Sequence, residues 1–241
     1  PRSTLFPYTT LFRSVRVGGQ NEDRKTGNMV WAQFTHLATR PVDDGSGSIV
    51  PDPHLHVHAV AFNGTWDTVE EKWKAGQFGN IKFDGRYYEA CFYSRLVRGL
   101  QDLGYEIERR GKGWEIKGVD SDICKLFSNR TKEIELAKNG QDLTVKQEAA
   151  LGQVTRRNKD EAETLTALEL RKRWFDRLDN NQRERVIATS SVAENRRLRA
   201  SPVTIPGAAE RAASFAVDHV FERKSVDSER GVISEAIRAG L

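Results

Sequence analysis

The chain has 241 residues, enough for one large domain or two small ones. Its mean hydropathy is −0.61, and no apolar run approaches the roughly 20 residues of a membrane-spanning helix, so no segment reads as one. The formal charge of +4 weakly favours an anionic partner. The two cysteines, Cys91 and Cys124, form no spaced framework, which fits a reduced, cytoplasmic protein better than a secreted disulfide scaffold.

Residues 1–14 are set apart. The run Leu5-Phe6-Pro7-Tyr8-Thr9-Thr10-Leu11-Phe12-Arg13-Ser14 reads as the in-frame translation of a short-read sequencing adapter, an assembly artefact to be left out of fold reasoning. Without Arg2 and Arg13 the formal charge falls to +2, and the argument from basicity nearly vanishes. Tyr8 is then no catalytic candidate, and the native start is expected to lie upstream of this sequence. Residues 15–28 read as a short strand and a polar turn.

From Met29 to His36 apolar positions alternate, placing Val30, Ala32, Phe34 and His36 on one side of a strand. A loop over 37–53 is expected next, holding the turn formers Asp43-Asp44-Gly45-Ser46-Gly47-Ser48. Loops of that length are usually functional or mobile. Arg40 is a candidate for meeting a phosphate there, against the plainer reading of a solvated arginine.

A second strand follows, with His54, His56, His58, Val60 and Phe62 sharing a face. Residues i and i+2 of a strand lie roughly 6.6 Å apart, so two imidazoles can converge on one ion; i and i+4 lie roughly 13 Å apart and cannot. The spacing predicts a His-x-His pair and a third ligand from elsewhere. His36 suits that role if the two strands form an antiparallel hairpin. His56 and His58 are preferred as the pair, because His54 follows Pro53 at the strand mouth; His54 stays a possible additional metal or phosphate contact. The plainer reading is scattered surface histidines. Against it, four of the five histidines fall between 36 and 58. One divalent ion is expected, Mg, Mn, Zn or similar, with imidazole ligation favouring Zn, Mn, Fe, Co or Ni over Mg.

Asn63-Gly64 turns the chain into Trp66–Phe78, whose aromatics could cover the site or stack on bases. A helix over about 86–103 carries Tyr88, Cys91, Phe92, Leu96, Leu100 and Leu103 at helical spacing, with Gly104 as its C-cap. Residues 105–118 read as a hairpin whose tip holds Arg109, Arg110 and Lys112, candidate contacts for a DNA backbone. One helix is expected from Ser121 or Asp122, as cap, through Lys138, then helices over 144–157, 160–178 and 180–198. Ser201–Gly207 reads as a linker before a last helical piece.

In this order the motifs resemble the relaxase domain of conjugative relaxase–helicases, the MobF or TrwC-like class of HUH endonucleases. The residues that carry the resemblance are Thr26-Gly27-Asn28-Met29-Val30, Phe34-Thr35-His36-Leu37-Ala38-Thr39-Arg40, Asp52-Pro53-His54-Leu55-His56-Val57-His58, Tyr87-Tyr88-Glu89-Ala90 and the hairpin Leu103 to Ile116. Phe221-Glu222-Arg223-Lys224-Ser225-Val226 is similar to the stretch where such proteins pass into their helicase part. The resemblance implies an α+β fold: an HUH-type antiparallel sheet with packed helices, then a mostly helical extension. It divides the chain into a catalytic-core fragment over 15–118, a helical part over 119–200, and a linker with the helicase-proximal start over 201–241. It implies that His36, His56 and His58 hold one divalent ion against the scissile phosphate of single-stranded DNA at an origin of transfer. A tyrosine near the family's N-terminus attacks, giving a 5′-phosphotyrosine and a free 3′-hydroxyl. That tyrosine has no counterpart from residue 15 onward, so this polypeptide is expected to bind metal without nicking. A C-terminal helicase and transfer-apparatus proteins are the implied partners.

Two other classes stay open. A metal-dependent hydrolase or oxygenase would need a carboxylate at the His-x-His pair, for which Asp52 and Asp67 are the nearby candidates. A non-catalytic DNA-binding module with a structural metal would need a fourth protein ligand.

Overall fold

The computed structural model describes residues 14–17, 23–43, 49–111, 113–154, 165–198 and 206–240. The adapter-like residues 1–13, Lys112, residues 155–164 of the helices expected over 144–157 and 160–178, and residues 201–205 of the expected linker lie outside the described residues. The strands are β1 (Ser14–Arg16), β2 (Asp23–Lys25), β3 (Trp31–Asp43), β4 (Ile49–Ala61), β5 (Thr65–Asp67), β6 (Lys72–Lys74), β7 (Ile107–Arg110) and β8 (Gly113–Ile116). They pair in sequence order as four two-stranded sheets. The helices are α1 (Gly79–Phe83), α2 (Gly85–Asp102), α3 (Ser121–Leu126), α4 (Asn129–Lys138), α5 (Val145–Val154), α6 (Ala167–Asp176), α7 (Asn180–Arg197), α8 (Ala208–Phe221) and α9 (Glu229–Ala239). This is the mixed helix-and-sheet class the sequence implies. No helix among the described residues is long and apolar enough to cross a membrane.

The chain divides into two compact units. One contains Gln33–Ala59 and Lys117–Ser191, and so most of the β3–β4 ribbon with α3 to α6. Most of the loop expected over 37–53 is strand, since β3 continues to Asp43 and β4 begins at Ile49; the expected turn formers at 44–48 lie outside the described residues. Pro41, Pro51 and Pro53 argue against strand in a sequence reading, since proline cannot donate to a ladder. Each strand of a two-stranded ribbon has a free edge, however, where a missing N–H costs nothing. The connection between Asp43 and Ile49 is too short for a parallel crossover, so the strands run antiparallel. Beside the prolines, the Asp52 N–H donates to the Thr39 hydroxyl at 2.9 Å.

Asp52 organises this unit. It is 2% exposed, and its carboxylate accepts from the Asn129 amide (2.9 Å), Asn129 Nδ2 (3.1 Å) and Arg177 Nη1 (2.9 Å). Arg177 also donates to the Leu126 carbonyl and lies over the Phe127 ring, while Trp174 Nε1 donates to the Pro51 carbonyl at 2.6 Å. This explains why the single helix expected over 121–138 is two. The residue before α4, Ser128, makes no side-chain cap, and Asp52 satisfies the first amide of α4 from another strand. The cap expected at Ser121 or Asp122 also differs: the N-cap is Asp120, which makes no capping bond, and Asp120 and Asp122 instead pair with Arg185. Val42, Ile123, Leu170 and Leu178 are the buried apolar residues here.

The other unit comprises the chain up to Ala32, Val60–Ile116 and Val192–Leu241. Its central helix, α2, ends as a Schellman motif: Gly104 at φ +90° donates to the Gln101 carbonyl, and Tyr105 donates to Leu100. The predicted cap is thus in place. A Cβ at Gly104 would lie 1.9 Å from the Ala193 carbonyl oxygen, so the position also admits α7. The buried face differs from the expected one. Tyr88, Ala90 and Val97 are buried, whereas Phe92, Leu96 and Leu103 remain 38–50% exposed. Asp67, 1% exposed, accepts from Arg24, Lys74 and the amides of Val69 and Glu70, tying β5–β6 to β2. Trp66 and Trp73 face each other across that hairpin on its outer side, ring centroids 5.7 Å apart.

Candidate metal centre

Period-two alternation puts His56 and His58 on one face of β4, and pairing with β3 brings His36 beside them. One ligand atom from each of the three lies within 4.8 Å of the others. Ring centroids are 5.3 Å apart for His36 and His56, 4.7 Å for His36 and His58, and 5.0 Å for His56 and His58. His36 and His56 are half-buried and His58 is exposed, so the cluster opens on one side.

The nitrogen of His56 that would ligate follows from its hydrogen bond. Nδ1 lies 2.8 Å from the His54 carbonyl oxygen, which can only accept. Nδ1 therefore carries the proton, and Nε2 keeps the lone pair a cation needs. His54 thus contributes its backbone. Its ring stacks on that of His56, 4.7 Å away, and does not join the three-residue cluster. Arg40 lies on β3, half-buried, four residues beyond His36, rather than in a loop.

Neither carboxylate that a hydrolase or oxygenase would need is free to ligate. Asp52 is held by Asn129 and Arg177. Asp67 is held by Arg24 and Lys74: burial pushes its carboxyl up, but those cations and the Val69 and Glu70 amides prevail and hold it well below the usual carboxylate range. Among the described residues the cluster offers three donors, all imidazoles, with no fourth protein ligand to close it.

The expected basic tip is divided. In the β7–β8 hairpin Arg109 pairs across from Trp114 and Arg110 from Gly113, so alternation sends the two arginines to opposite faces. Arg110 is ion-paired to Glu115, and Arg109 shares its face with Ile107, Trp114 and Ile116. Sequence reasoning missed the role of Asp52. The flanking prolines mark it as unusual, but its partners lie 77 and 125 residues away.

Known proteins resemble this chain in both sequence and fold. The sequence model of the TrwC relaxase family matches residues 9–181. Two curated relatives are the multifunctional conjugation protein TraI of Escherichia coli, 30% identical over 253 residues, and that of strain K12, 29% identical over 252. Each match covers 94% of this chain, which spans 14% of the length of either relative. Among solved structures, the conjugative relaxase TrwC in complex with oriT DNA, metal-free, superimposes with a TM-score of 0.60 at 26% identity, over 72% of this chain and 60% of that one. A metal-bound TrwC–oriT DNA structure matches with a TM-score of 0.59 at 23% identity, over 79% of this chain and 59% of that one, a likeness of fold alone. The match to the family's sequence over most of the chain, on a fold shared with TrwC, places this chain in the TrwC relaxase family.

Proposed function

We propose that this chain is the metal-holding part of a conjugative relaxase, with His36, His56 and His58 binding one divalent ion. The observation that carries the reading is the three-imidazole cluster with an open side and no carboxylate. An ion bound there would supply Lewis-acid polarisation of a scissile phosphodiester in single-stranded DNA. The chain's own part is to orient the imidazoles: the His54 carbonyl fixes the His56 tautomer, and the Asp52 clamp fixes the strand that bears the pair. The intact protein would nick one strand at an origin of transfer by attack of a tyrosine on phosphorus, with the 3′-oxygen leaving.

No residue of this chain is assigned as the nucleophile, and the 241-residue polypeptide is expected to bind metal and strand without cleaving. A C-terminal helicase, transfer-apparatus partners and a cytoplasmic site of action belong to the same reading. So does a division into a core fragment over 15–118, a helical part over 119–200 and a helicase-proximal start beyond. Arg109 remains a candidate for the DNA backbone, as does Arg40 for a phosphate. Titration with Mn²⁺ and Zn²⁺, followed by protection of single-stranded DNA from nuclease, tests the proposal. Binding of one ion per chain, lost in His56→Ala and His58→Ala, with ion-dependent protection, supports it. Ion binding that survives both substitutions overturns it.

A further inference from the structure

In the unit holding α2, α8 and α9, two helix N-termini border one cleft of about 380 Å³, a volume typical of small-ligand sites. Each of those helices carries an arginine in its first turn, Arg86 on α2 and Arg230 on α9, where the positive end of the helix dipole disfavours a cation. Arg223 and Lys224, just beyond α8, line the same cleft. Two of these four charges are answered within the protein: Arg230 pairs with Asp84 and Lys224 with Asp227. Arg86 and Arg223 make no direct ion pair among the described residues, although the Arg86 charge helps to lower the Asp227 carboxyl and Glu235 also lines the cleft. Because Asp84 turns to Arg230, it makes no capping bond to α2. Two exposed guanidiniums and a helix end without a side-chain acceptor therefore meet in one cavity. Its wall also carries rings: Phe83, 81% exposed, and Tyr87, 5.9 Å from the Arg230 guanidinium.

We propose that this cleft binds a nucleotide, its phosphate taken by Arg86 and Arg223 and its base laid against the Phe83 and Tyr87 rings. Both the free nucleotide and a unit of a single strand offer that chemistry, and the test separates them. Binding is measured calorimetrically on the full chain in the His56→Ala/His58→Ala background with EDTA, so that phosphate held at the histidine cluster does not contribute. The probes are adenosine 5′-monophosphate, inorganic phosphate and a dT hexamer. Arg86→Ala and Arg223→Ala should each weaken the nucleotide by about tenfold, as for loss of one charge-assisted bond. Both residues are exposed and neither makes a direct ion pair among the described residues, so thermal melting should change little. Phe83→Ala should weaken the nucleotide and leave inorganic phosphate unaffected. Arginine-dependent binding tighter for the hexamer than for the monophosphate assigns the site to a strand; the reverse assigns it to a free nucleotide. Equal affinity in the wild type and both arginine variants, or no binding of any probe at 10 mM, overturns the proposal. Inorganic phosphate binding as tightly as the nucleotide overturns the base contact.

Discussion

Replacing Asp52 by alanine is the most direct test of how the histidine ribbon is held. The carboxylate accepts three hydrogen bonds from Asn129 and Arg177. Its loss strands the Asn129 amide, in a residue 5% exposed, at a cost of about 1–3 kcal/mol for a buried unsatisfied donor. It also leaves the Arg177 guanidinium, 14% exposed, without its counter-ion; breaking a buried pair costs about 3–5 kcal/mol. Arg177 keeps the Leu126 carbonyl and the Phe127 ring, and the two penalties overlap, so the lower end applies. The expected loss is about 3 kcal/mol, or a melting temperature lower by about 6–12 °C for a chain of this size. Asp52→Asn keeps one acceptor oxygen and should lose about half as much. Urea and thermal unfolding in EDTA, followed by circular dichroism, measure this without any contribution from bound ion. A variant melting within about 1 °C of the wild type would refute the clamp.

Zn²⁺ or Mn²⁺ at a hundredfold excess over its dissociation constant should stabilise the wild type by about 2.7 kcal/mol in a melting assay, and His36→Ala should abolish most of that gain. The Asp67 carboxyl is held below its ordinary range, so its stabilisation is full above the unfolded value near 3.8 and is lost as pH falls towards the depressed folded value. The melting advantage of wild type over Asp67→Asn should accordingly be constant from about pH 7 to 5 and shrink below about pH 4; a gap that widens on acidification would contradict the ion cluster. Gly104→Ala must adopt φ +90° and push its Cβ into the Ala193 carbonyl, so a loss of at least about 2 kcal/mol in urea unfolding is expected, against at most about 0.5 kcal/mol for Arg98→Ala, which loses one exposed ion pair to Asp102.

Local patterns carried much of this structure. Alternation about His56 and His58 located the strand, the two-residue reach of an imidazole pair called for a third ligand, and His36 is where β3 delivers one. Gly104 marked the end of α2 because only a residue tolerant of positive φ closes a Schellman turn there. The failures share a cause. Pro41, Pro51 and Pro53 hid the length of the ribbon, since whether proline harms a strand depends on which edge lacks a neighbour. The break between α3 and α4 was illegible because the acceptor for the Asn129 amide comes from β4 rather than from a nearby cap. The apolar stripe of α2 indicated a helix correctly but not its buried side, which depends on the packing of α9.

The Asp52 clamp also has a temporal side. Its contacts join positions 77 and 125 residues apart, so loop closure precedes any reward from them. During synthesis the histidine-bearing ribbon leaves the ribosome long before Arg177 does, and until that arginine emerges Asp52 has only its Asn129 partners and no counter-ion. Competence to capture a cation would therefore arrive late in translation, and a nascent chain released short of residue 177 would carry all three imidazoles yet hold them loosely.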